Sequence, residues 1–268
     1  MFEWDTTRTR VMGVLNVTPD SFSDGGKFLD VERAVAHAEA MAEAGADIID
    51  VGGESSRPGA ASVSVEEELR RVVPVIERLR GPPVSVDTTK AVVAEKALAA
   101  GARIVNDISA LRFDARLLEV VRDFGAGLVL MHMLGTPRTM QENPQYGDVV
   151  AEVRGFLAER IAFAEGRGLK KTQIAVDPGI GFGKTVEHNL KLLAHVEEFG
   201  SLGCAVMVGP SRKSFIGKLL NREPHQRLWG TMAAVAWAVA HGVNVVRVHD
   251  VAETVDVVRM IEALRRAQ

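Results

Sequence analysis

One pattern recurs along the whole chain and limits what it can fold into: a short β-branched apolar run, a loop, then an amphipathic helical stretch. The runs are "RVMGVLNV" (10–17), "ADIIDVGG" (46–53), "PVSVD" (83–87), "RIVNDIS" (103–109), "GLVLMH" (127–132), "QIAVDP" (173–178), "CAVMVG" (204–209) and "NVVRVHD" (244–250). They are too continuously apolar for half-exposed antiparallel strands. They suit parallel strands covered on both faces. Helical signals fill the intervals. "DVERAVAHAEAMAEAG" (30–45) has Asp30 as a candidate N-cap and Gly45 where a C-cap belongs; Val31, Ala34, Val35, Ala38, Met41 and Ala42 make one apolar stripe. "SVEEELRRVVPVIERLRG" and "TTKAVVAEKALAAG" repeat the pattern, each stopping at a glycine, and Pro74 marks a kink in the first. Eight such βα units of about 30 residues each predict an α/β fold, a single (β/α)8 TIM barrel. No Pro/Gly/Ser-rich linker interrupts them, so residues 1–268 are expected to form one domain. A doubly wound open sheet would not naturally use eight parallel strands in this length.

Charge and cysteine content narrow the function class. A formal net charge of -3 gives no general attraction to nucleic acid or anionic membrane. Cys204 is the only cysteine, which rules out an intrachain disulfide and fits a cytoplasmic protein; it lies in an apolar run and is expected in the core. The start, "MFEWDTTRTR", has no apolar segment of the kind a signal peptide carries. The apolar stretch 231–248 is broken by His241, Gly242 and Arg247, so it is expected to be a buried helix, a turn and a strand rather than a membrane span.

The stretch "DPGIGFGKT" (177–185) is nearly a phosphate loop, but Pro178 stands where the first glycine of G-x-x-x-x-G-K-[ST] should be. Its glycines are also wrongly spaced for a dinucleotide fingerprint. What it shares with the rest of the chain is a polar residue at a strand end. In a barrel these positions face one mouth. They are Asn16, Glu54 to Arg57, Asp87, Asn106 and Asp107, Met131 and His132, Asp177, Ser211 to Lys213, and Arg247 with His249. Any one alone reads as the N-cap of the following helix; so many together point to a site. Two carboxylates and a carboxamide suit a heterocycle with adjacent N–H groups, and a carboxylate can take an amino-bearing edge through two parallel hydrogen bonds. Arg247, Lys213 and His249 suit phosphate or a planar π-face. The ligand expected is a flat, amino-bearing ring with an anionic tail.

Over residues 10–255 the chain resembles the dihydropteroate synthases, the sulfonamide targets of folate biosynthesis. The resemblance rests on "MGVLNVTPDSFSDGG" (12–26), "DVGGESSRPGA" (50–60), "VDTTK" (86–90), "NDIS" (106–109), "LMHMLGTPRTMQ" (130–141), "DPGIGFGKTVEHNL" (177–190), "GPSRKSFIG" (209–217) and "RVHDV" (247–251). It implies a transferase that joins (7,8-dihydropterin-6-yl)methyl diphosphate to 4-aminobenzoate, giving 7,8-dihydropteroate and diphosphate by an SN1-like displacement. By position, Asp87, Asn106, Asp177 and Lys213 become pterin-ring contacts, with Phe182 at the pocket wall. Ser56, where the family often has threonine, keeps the substrate-contacting hydroxyl. Arg247 lies over the pterin face. Arg247, His249 and Asn16 take the diphosphate side, Asn16 as a Mg2+ ligand. Asp87, Lys213, Arg247 and His249 are the candidate catalytic residues.

The resemblance also implies an arylamine pocket built from two mobile loops, 18–26 and 55–60, and the Ser211–Lys213 region. Phe22, Arg57, Pro58, Ser211 and Ser214 are its candidate contacts with 4-aminobenzoate or sulfonamide, and Asp24 pairs with Arg57 across the lid. A homodimer is implied, with the helices at 231–241 and 251–266 as its interface. Of the remaining histidines, His37, His195 and His241 are expected to be structural or solvated, His188 has no partner at metal spacing, and His132 can reach the pocket, where Met131 and Met133 would be walls. Two rivals share the pterin-binding set: a methyltetrahydrofolate:corrinoid methyltransferase, which should lack "SRPGA" and "SRKSF", and a catalytically idle pterin-binding homologue.

Overall fold

The structure is a computed structural model and describes residues 1–18, 27–56, 59–60 and 62–267. In chain order its elements are β1 (Arg10–Asn16), α1 (Lys27–Glu43), β2 (Ile48–Gly52), α2 (Val65–Ile76), β3 (Val84–Asp87), α3 (Ala91–Ala99), β4 (Ile104–Asp107), α4 (Leu117–Phe124), β5 (Gly127–Met131), α5 (Val149–Glu165), β6 (Ile174–Asp177), α6 (Val186–Ala194), β7 (Ala205–Val208), α7 (Ser214–Leu220), α8 (Leu228–Ala240), β8 (Val245–Val248) and α9 (Val251–Arg266). The strands pair in parallel in sequence order. β8 closes onto β1 with Met12 opposite Arg247, completing an eight-stranded barrel. All eight expected strands are present.

Local chemistry sets where the elements stop. The β4 run ends at Asp107 rather than Ser109 because the Asp107 carboxylate accepts from Ser109 N, Ser109 Oγ and Leu111 N, which bends the chain away from the sheet. Helix α1 begins at Lys27, so Asp30 lies inside the helix and is not its cap. At its other end Gly45 has φ +98°, and Ala46 N donates back to Met41 O at 2.9 Å. This left-handed stop turns the chain straight into β2. Helix α2 is capped by Ser64, which accepts from Glu67 N, and it ends at Ile76, two residues beyond Pro74. The proline therefore stands near a helix end and does not kink a longer helix; it has no N–H to continue the ladder.

Strand alternation sorts the side chains into layers. Outward residues such as Leu15, Val51, Val86, Leu130, Val176 and Val248 join the helices in the main core. Inward residues at the N-terminal end, Met12, Ile48, Ile104, Val129, Ala175, Ala205, Met207 and Val245, form a separate apolar plug. Two residues further along the same strands the inward row becomes Asp50, Asn106, Met131, Asp177 and Arg247, joined by Asp87. The barrel thus has an apolar floor and a polar roof.

The N-terminal segment closes the floor from outside. Trp4 packs in the plug, donates from its indole nitrogen to Gln173 O at 2.9 Å, and meets Phe2 edge-to-face at 5.1 Å. Truncating a buried tryptophan costs about 3 kcal/mol or more. Trp4→Ala is therefore expected to lower the melting temperature by roughly 6–12 °C while leaving the opposite, polar end of the barrel unchanged; a calorimetric scan and a substrate KM check the two halves.

Candidate active site

The polar roof is one connected network. Arg247 donates through Nε to Asp50 Oδ2 at 2.6 Å and through Nη2 to Asp87 Oδ2 at 2.8 Å. Asn106 donates its Nδ2 to the same Asp50 oxygen at 3.1 Å. Asp87 and Asn106 sit side by side on β3 and β4. Asp50 and Asn106 are buried, yet Asp50 Oδ1 and Asn106 Oδ1 have no hydrogen-bond partner among the described residues. Buried polar atoms left without partners are uncommon and call for an explanation.

"DPGIGFGKT" forms the other side of the site. Asp177 ends β6, and its Oδ1 accepts from Gly179 N at 2.7 Å. Gly179 has φ +69°, and a Cβ there would lie 1.9 Å from His132 O. At Gly181 a Cβ would meet Lys213 Cδ at 2.8 Å. The glycines thus let the turn pass under the β5 loop and leave room for the Lys213 stem. Lys213 then bonds Ile180 O and stands 4.3 Å over the Phe182 ring. Phe182 packs with Ile108, Met131, Met133 and Met140, an apolar wall beside the polar roof. Lys184, the residue that mimics a phosphate-loop lysine, points inward instead. It is buried, 2.9 Å from both His132 Nδ1 and Phe182 O, and ties this turn to the loop after β5. His132 lies behind the site, edge-on to Phe156, and burial together with Lys184 pushes its imidazole down to about 2.

Burial dominates the electrostatics of the roof. It pushes the Asp87 carboxyl up to about 7, with Asp50 adding to the rise and Arg247 opposing it. Burial also raises Asp177, against the pull of Lys213. The Lys213 ammonium is pushed down to about 8 by burial, with Asp177 opposing. Arg247 is held in its charged form: burial works against it, but Asp50 and Asp87 outweigh that. Cys204 is buried core, its thiol raised to about 11, and plays no part here.

The remaining candidates fall around this centre. Ser211 Oγ lies 3.0 Å from His249 Nδ1 and accepts from His249 N, joining the ends of β7 and β8. Between Ser211 and Lys213, Arg212 turns outward to Asp250. Ser214 is exposed at the first position of α7. Ser56 and Asp87 share a cleft of about 460 Å³ with Ile108, Phe113 and Pro137. The segment after β2 reaches the segment after β5 where Gly59 N meets Pro137 O. Asn16 ends β1, half-exposed. Phe22, Asp24, Arg57 and Pro58 lie outside the described residues. Two residues of the site were not singled out from the sequence. Asp50 lies inside the run "ADIIDVGG" and not at its end, so it carries no strand-end signal. Lys184 has its main partner 52 positions away, so no local signal marks it.

The family model described as "Pterin binding enzyme" matches residues 12–249. A curated relative, the dihydropteroate synthase of Synechocystis sp., is 48% identical over 99% of this chain and 93% of its own length. The chain belongs to the dihydropteroate synthase family. Solved synthase structures agree in fold. That of Xanthomonas albilineans with 4-aminobenzoic acid is 52% identical, superimposes with a TM-score of 0.91, and covers 97% of this chain and 94% of that one. That of Yersinia pestis in a sulfonamide drug complex is 46% identical with a TM-score of 0.92, over 98% and 96%. As a dihydropteroate synthase-family member the chain is a transferase on a (β/α)8 barrel, and the corrinoid methyltransferase alternative is not favoured at this level of identity. Among the described residues no helix is long and apolar enough to cross a membrane.

Proposed function

We propose that the roof holds the ring of (7,8-dihydropterin-6-yl)methyl diphosphate and that the chain joins its methylene carbon to the amine of 4-aminobenzoate. The observation that carries this is the convergence of Asp87, Asn106, Asp177 and Lys213 beside the Phe182 and methionine wall. Asp177 accepts from the amino-bearing edge of the ring; Asn106 Oδ1 and Asp87 accept from further N–H groups; Lys213 donates. Arg247, now paired with Asp50 and Asp87, gives up its Asp87 contact to lie over the ring and face the diphosphate with His249.

The chemistry follows from the leaving group. The C–O bond to diphosphate breaks with its electron pair, and the electron-rich reduced ring stabilises the cationic methylene that remains. The amine nitrogen bonds to that carbon and releases one proton. The residues bind, orient and shield, and no covalent enzyme intermediate is needed. Mg2+ fits this mouth as an ion shared with substrate. Asn16 offers one carboxamide oxygen, and among the described residues no three His, Cys, Asp or Glu side chains form a cage. Asn16 would hold such a hard cation through its side-chain oxygen, and when bound the ion would neutralise charge on the leaving group.

Protonation sets an activity window. The ring needs Asp87 ionised and Lys213 protonated. The kcat/KM for the pterin substrate is expected to rise through about pH 7, as Asp87 loses its proton, and to fall through about pH 8, as Lys213 loses its own. A flat profile from pH 6 to 9 contradicts these assignments.

The 4-aminobenzoate site is assigned to Ser211 and Ser214 with Phe22, Arg57 and Pro58, closed by Asp24, while Ser56, in one cleft with Asp87, stays with the pterin substrate. Calorimetric titration of 4-aminobenzoate with Mg2+, with and without diphosphate, tests this arrangement. Binding only when diphosphate is present supports an arylamine pocket completed by the first ligand; equal binding in both conditions refutes it. The protein is proposed to act in the cytoplasm as a homodimer. Exposed apolar residues support the interface expected on the last two helices: Trp229 and Trp237 on α8 and Met260 and Leu264 on α9, with Leu219 and Leu220 of α7 also exposed. Light scattering at micromolar concentration is expected to give twice the chain mass, and Trp237→Glu to halve it.

A further inference from the structure

We infer that Asp50 is a positioning residue that fixes which face of the Asn106 carboxamide meets the ligand. The inference rests on the assignment of the roof as a pterin site. Asp50 is fully buried in β2, and one of its oxygens receives both Asn106 Nδ2 and Arg247 Nε. Paired with a guanidinium, Asp50 is a carboxylate and can only accept. An asparagine amide is nearly symmetric in shape, so its orientation is set by its neighbours. With an acceptor on one side, Asn106 must turn its NH2 toward Asp50 and present Oδ1 the other way. That Oδ1 is a buried acceptor with no partner among the described residues. Asp50 therefore makes the roof an acceptor surface at this point, selecting a ring that carries hydrogen there. Through Arg247 the same carboxylate holds the guanidinium next to Asp87.

Asp50→Asn preserves shape and removes this instruction, because the new amide can accept or donate and Asn106 is free to turn round. Binding of pteroic acid, followed by calorimetry, is expected to weaken by about tenfold or more, the loss that follows when a polar partner is mismatched in a buried site. The KM for the pterin substrate should rise while the KM for 4-aminobenzoate stays within about twofold, and the melting temperature should fall by less than in Arg247→Ala, because Arg247 keeps Asp87 and the amide at position 50 still offers an accepting oxygen. In the double variant D50N/N106D the new carboxylate at 106 again accepts on both sides, so pteroic acid should bind at least several-fold tighter than to D50N alone. Wild-type affinity in D50N overturns the inference. So does equal weakness of D50N and the double variant together with a large fall in melting temperature, which would mark a packing role only. Failure of the unsubstituted protein to bind pteroic acid would instead remove the pterin assignment itself.

Discussion

Asp177→Asn is expected to lower kcat/KM for the pterin substrate by about 10²–10³-fold without unfolding the protein. The substitution is isosteric. One side-chain oxygen remains to accept from Gly179 N, the contact that shapes the turn after β6. The other side becomes an amide, which cannot accept from the amino-bearing edge of the ring. Asp177 is buried beside Lys213, so no water takes over the lost contact cheaply. The loss should appear chiefly as weaker pterin binding. Calorimetry with pteroic acid and a thermal melt separate the effects: affinity falls steeply and the midpoint stays within a few degrees. A variant with wild-type pteroate affinity would move the ring elsewhere in the barrel.

Arg247→Ala is expected to damage both stability and activity. Its guanidinium neutralises Asp50 and Asp87, and Asp50 has no solvent exposure. Removing one partner of a buried pair typically costs about 3–5 kcal/mol, because the other charge is left unpaired. The Arg247 side chain is itself one-fifth exposed, so a value of about 2–4 kcal/mol is expected, a fall of roughly 5–12 °C in melting temperature. Activity should fall further than stability alone predicts, since the same group faces the diphosphate. Arg247→Lys should recover part of the stability and little of the rate, because an ammonium cannot span two carboxylates as a guanidinium does. An alanine variant as stable as the parent would mean that Asp50 and Asp87 are not held by this contact.

How much of this could be read from the chain alone depends on the range of the forces involved. The strands were legible because a parallel sheet covered on both faces demands continuous apolar runs. Asp87, Asn106, Asp177 and Arg247 were legible because they close such runs where a barrel opens. Asp50 was not: it sits mid-strand, two residues above Ile48, and only the closed barrel shows that Arg247 of β8 and Asn106 of β4 converge on it. Lys184 was quoted within a loop-like motif, but its role depends on His132 and on the close approach of Gly179 to that residue's carbonyl. The start of α1 before Asp30 and the end of α2 at Ile76 show the usual limit of cap and proline signals, which locate a helix better than its last turn. The Trp4 plug escaped notice because "MFEWDTTRTR" has no periodicity; a loop segment is fixed there by Gln173 and the barrel floor.

The central claim is tested most directly by the reaction itself. The protein is incubated with (7,8-dihydropterin-6-yl)methyl diphosphate, 4-aminobenzoate and Mg2+, and diphosphate and 7,8-dihydropteroate are measured together. The account predicts that the two appear one-to-one, and that Asp177→Asn and Asp50→Asn slow both in step. Diphosphate release without dihydropteroate, or no turnover by a protein that still binds pteroic acid, would contradict it.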